Sequence, residues 1–123
     1  MKDQILNLIR MWQREYFHLF IYIYASLADN EIIYTEWDMM KDKINTSGAD
    51  MDYSVAFVDV TKVFQRCNDS EVLDVLEYFK TNFTPTPEEI NTILANAEEI
   101  IASDSDIRAE EKQIIRIIHK ALS

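Results

Sequence analysis

Glycine occurs once in this chain of 123 residues, at Gly48, and proline only twice, at Pro85 and Pro87. So few turn-forming residues argue against a fold of many tight hairpins, and no long apolar–polar alternation of the kind a solvent-facing strand needs is present. An all-α fold is expected. Cysteine also occurs once, at Cys67, which excludes an internal disulfide and suits a reducing compartment. Basic residues are scarce, 12 against 22 acidic ones, for a formal net charge of −10. Sequence-independent binding to nucleic acid or to anionic lipid draws on basic side chains beside phosphate, so neither is expected. Cationic or metal partners suit the charge better, and a protein partner is expected besides. The longest apolar stretch, ending at Ala28, falls short of the roughly 18 residues of a membrane span. It also lacks the basic lead of an export signal, because Asp3 and Glu15 precede it. A cytoplasmic protein without membrane insertion is expected.

Apolar residues make up 48% of the chain and aromatic ones 11%. That is enough for one domain over residues 1–123 with a substantial core. The stretch from Glu15 to Glu36 organises it. Ile5, Ile9, Trp12, Tyr16, Leu19, Phe20, Ile23 and Leu27 recur at helical spacing, with Phe17, Ile21, Tyr24 and Ala28 beside them. The pattern predicts a first helix from about Asp3 to Ala28 with a bend in its first half, where Met1 to Arg14 forms a separate piece. Further helices are expected over Tyr34–Ile44, Asp52–Arg66, Asp69 or Ser70 to Asn82, and from Thr86 onward. The last begins near Arg108. Thr86-Pro87-Glu88-Glu89 is the sharpest local signal, because it has threonine at a cap, proline in the first turn and glutamate three residues on. The core should include Leu19, Phe20, Ile23, Leu27, Leu94, Ile101, Ile114 and Ile118.

The apolar stretch ends in an acidic corner, Ala28-Asp29-Asn30-Glu31-Ile32-Ile33-Tyr34-Thr35-Glu36. A similar corner, Ser103-Asp104-Ser105-Asp106-Ile107-Arg108-Ala109-Glu110-Glu111, follows 75 positions later. Leu19 then matches Leu94, and Met39-Met40-Lys41 matches Ile114-Ile115-Arg116. The expected architecture is a compact bundle of about six to seven helices with an internal pseudo-twofold repeat of helix pairs.

These corners resemble the signature of the TerB-like tellurite-resistance family, whose domain also occurs in membrane-anchored J-domain co-chaperones. In that signature a helix ends in alanine-aspartate-glycine, an apolar residue follows, and a glutamate lies seven positions beyond the aspartate. Here the matching residues are Ala28-Asp29-Asn30, Ile32 and Glu36, then Ser103-Asp104-Ser105, Ile107 and Glu111. In both copies the glycine is replaced, by Asn30 and by Ser105, and serine is the less tolerant of a left-handed backbone. The resemblance implies an all-helical fold with this repeat and a role in bacterial stress responses. It also implies divalent-cation binding through Asp29, Glu36, Asp104 and Glu111. Glu31, Asp106 and Glu110 are further acids that this chain supplies nearby.

The same acids have a structural reading. With Ile33 and Arg108 at cap positions, Glu36 and Glu111 fall at the third helical position, where a carboxylate reaches back to a free amide and favours the positive end of the helix dipole. Asp29 and Asp104 would then cap from across the loop, and Ile32 and Trp37 would form a hydrophobic staple. The spacing is not that of an EF-hand, although calcium or magnesium remains the expected metal for an all-oxygen site. Arg108, Lys112, Arg116 and Lys120 line one helix face, a pattern expected of a solvated surface paired with nearby carboxylates. His18 and His119 lack ligand-spaced partners. An enzyme ranks last, because the chain has no phosphate-cradling loop, no nucleophile motif and no histidine close to the acids.

Overall fold

The computed structural model describes residues 3–27, 34–46, 51–102 and 109–123. Among them there are seven helices: α1 (Asp3–Ile9), α2 (Arg14–Ser26), α3 (Tyr34–Thr46), α4 (Tyr53–Arg66), α5 (Asp69–Phe83), α6 (Pro87–Ile101) and α7 (Ala109–Leu122). The protein is an all-α bundle built around α2, which packs against α3, α4, α5, α6 and α7. Burial follows from that position. Phe17, Leu19, Phe20, Ile21, Tyr22, Ile23, Ala25 and Ser26 are all buried, so this helix is covered on most sides, beyond a single stripe.

The expected bend in the first helix is a full break at residues 10–13. Gln13 is extended, and Trp12 just before it packs edge-on against Phe17 at the fourth position of α2, with ring centroids 5.1 Å apart. This is a hydrophobic staple, which fixes the angle at which the chain enters the helix. Gln13 provides no side-chain cap, so the aromatic contact defines the start.

Elsewhere short polar residues set the helix ends. Asp52 caps α4 by accepting from the Ser54 and Val55 amides at 3.0 and 3.3 Å. Asn68, not Asp69 or Ser70, caps α5. Its side chain accepts from the Glu71 amide at 2.8 Å while Glu71 accepts from the Asn68 amide at 3.0 Å, a reciprocal capping box. The helix ends at Thr84 in a left-handed conformation (φ 42°), and Pro85 follows, which cannot continue it. Thr86 caps α6 through the Glu89 amide at 3.1 Å.

Leu19, Phe20, Ile23, Ile101 and Ile118 are buried as the pattern predicted, whereas Leu27, Leu94 and Ile114 are only half-buried at the core's margin. Phe17 stacks on Tyr78 and Phe79 at 5.9 and 5.3 Å, joining α2 to α5. The two adjacent apolar rows read along the α2 stretch agree with a central helix that its neighbours cover on most sides. No helix of the described residues is long and apolar enough to cross a membrane.

Candidate functional site

The repeat seen in the sequence reappears as helix boundaries. α2 ends at Ser26 and α6 at Ile101, while α3 starts at Tyr34 and α7 at Ala109, so both boundaries keep the same offset. Two contacts fix the sense of the first pair. Arg14 and Glu89, in the first turns of α2 and α6, form an ion pair, and further along the Tyr22 hydroxyl accepts from the Asn96 amide at 3.1 Å. The two helices therefore run in the same direction. The chain leaves both of them, at Leu27 and Ala102, at one end of the bundle.

The helices that follow in the chain are α3 and α7, where Glu36 and Glu111 sit at the third helical position as the structural reading required. Both side chains are inside the protein, Glu36 1% exposed and Glu111 fully buried. A carboxylate taken out of water must gain hydrogen bonds, a counter-charge or a metal ion to offset its lost hydration. The sequence marked these residues by spacing alone; their burial is a tertiary fact. Asp29, Glu31, Asp104 and Asp106 lie outside the described residues, as do Ile32 and the side chain of Glu110. Among the described residues, no group of three or more His, Cys, Asp or Glu side chains is placed to hold a metal ion.

Glu71 and Glu89 show what other N3 glutamates do in this fold. Glu71, 6% exposed, completes the capping box of α5. Glu89 begins as half of the expected box, since Thr86 accepts its amide, but its carboxylate turns away. It pairs with Arg14 and meets His18 Nε2 at 2.8 Å. Burial pushes the Glu89 carboxyl up, yet the hydrogen bonds and charges of Arg14 and His18 outweigh this and hold it below the usual range. Arg14 also donates to the Phe83 carbonyl at 2.9 Å, placing a cation at the end of α5. This cluster, which no sequence motif marked, ties three helix termini together.

The remaining candidates are less concentrated. Lys112, Arg116 and Lys120 are exposed on α7, and Lys112 and Arg116 share a shallow groove with Glu98. His119 is exposed and lies far along the chain from the His18–Glu89 contact. Cys67 is half-buried at the end of α4, and burial, followed by the charges of Glu71 and Asp74, pushes its thiol up to about 11. A thiol in that state is a poor nucleophile near neutrality. Comparison with known protein families, with curated proteins and with solved structures finds no match to this chain.

Proposed function

We propose that this chain is a non-enzymatic stress-response module of the tellurite-resistance type, which binds a divalent cation at its acidic corners and acts through a protein partner. The single observation that carries the reading is that Glu36 and Glu111 are both buried, at equivalent first-turn positions of α3 and α7. Asp29 and Asp104 bring carboxylates to the same corners in the sequence. A hard cation such as calcium or magnesium suits such oxygen donors, and both corners resemble, with the glycine replaced, the signature that suggests it.

A second reading is favoured by Glu71. Here a nearly buried N3 glutamate already serves as a capping device through backbone and side-chain bonds, so the corners would be structural and the chain a metal-independent scaffold. Thermal unfolding at fixed ionic strength separates the two. Calcium or magnesium should stabilise the parent by mass action, and the gain should vanish in an Asp29→Asn, Asp104→Asn double variant. A parent indifferent to both ions, with a double variant weaker by about 1 kcal/mol per lost cap, would establish the scaffold reading instead.

A further inference from the structure

Away from the corners, a groove of about 720 Å³ runs between α4 and the break joining α1 to α2. Part of its apolar lining is open to solvent. Met11 is 83% exposed and Val55 53%, Leu8 is exposed, and Trp12 and Tyr16 form further wall. Clustered exposed apolar side chains of this kind mark an interaction surface rather than scattered surface noise.

The charges on α4 indicate what fits. Asp52, Val55, Asp59, Lys62 and Arg66 all line the groove, and their spacing of three and four residues sets them along one narrow stripe of the helix. The stripe is acidic in its first half and basic in its second. A face ordered in this way is complementary to itself when a second copy is turned end for end, the relation that a twofold axis imposes. With the axis passing between Asp59 and Lys62, each Asp59 meets Lys62 of the second copy. Val55 then lies against the aliphatic stem of the second copy's Arg66. Asp52 is within one turn of that same arginine. Leu8 and Met11 flank the incoming helix, and the symmetry repeats each contact.

We infer that this groove is a self-association surface, in which two copies of the chain pair through antiparallel α4 helices. The inference does not rest on cation binding at the corners. Charge complementarity selects a second copy because one helix supplies both the acidic and the basic half, in an order that matches only when reversed. The overall charge of −10 opposes pairing, so the local match must be strong enough to offset it.

Sedimentation equilibrium from micromolar to near-millimolar concentration, without added divalent ions, tests the idea. The parent should form a dimer whose affinity responds to salt. Asp59→Lys alone and Lys62→Asp alone should each weaken association by about tenfold or more, because each sets like charges against one another twice. The double variant Asp59→Lys, Lys62→Asp should restore the dimer, an outcome that a general effect of net charge cannot produce, since the double variant has the parent's net charge. Both residues are exposed, and circular dichroism should show every variant folded. A parent that stays monomeric throughout overturns the inference, as does a dimer that ignores both single reversals or a double variant that fails to recover.

Discussion

Arg14 and Glu89 stand 75 residues apart, at equivalent positions of the internal repeat, and their side chains pair across α2 and α6. The contact thus joins the two helices that the 75-residue offset relates. It also explains why Glu89 abandons half of its capping box. A charge-assisted bond to arginine, with histidine as a second donor, is stronger than one to a neutral amide.

The Glu89 carboxyl titrates below its ordinary value in the folded protein, so the interaction stabilises the fold above the unfolded pKa of about 4.3 and loses that effect as pH falls through the depressed folded value. Glu89→Gln should therefore be less stable than the parent at neutral pH, and the difference should shrink on acidification. Denaturant unfolding across this range is the measurement. A gap that widens toward low pH would contradict the assignment.

Phe20 is fully buried in the central helix and lies 5.7 Å from Phe64 of α4. Phe20→Ala should cost about 3–5 kcal/mol in equilibrium unfolding. By contrast Val58, half-exposed on α4, should cost less than about 1 kcal/mol when changed to alanine.

Asn68 sets the start of α5 through two reciprocal bonds with Glu71. Asn68→Ala should lower stability by about 0.5–2 kcal/mol, whereas Ser70→Ala, at the exposed second position of the helix, should change it little. Equal effects of the two would show that the capping box contributes nothing.

The Cys67 thiol is pushed up to about 11 by burial and by Glu71 and Asp74. Alkylation by iodoacetamide at neutral pH should be slow in the folded protein and fast once it is unfolded. Glu71→Gln should accelerate the folded-state reaction by removing one of the charges that disfavour the thiolate. Mass spectrometry of the time course reads this directly.

The sequence alone carried the helical fold, the number of helices and the 75-residue repeat, because these depend on local chemistry. Scarce glycine and proline, apolar spacing and acidic first turns act over a few residues and can be read in order. Even the first position of α3 and the third-position placement of Glu36 and Glu111 followed from the corners' internal spacing. Other features needed the assembled bundle. Trp12 breaks the first helix only because its ring finds Phe17 and Phe20, and Asn68 prevails over Asp69 and Ser70 as cap only through a reciprocal bond with Glu71. The burial of Glu36 and Glu111, the pairing of Arg14 with Glu89 and the open groove beside α4 join residues distant in the chain, and each depends on which faces the packed helices cover. Periodicity states which face of a helix is apolar; the packing of its neighbours decides how much of that face, and which charges beside it, leave water.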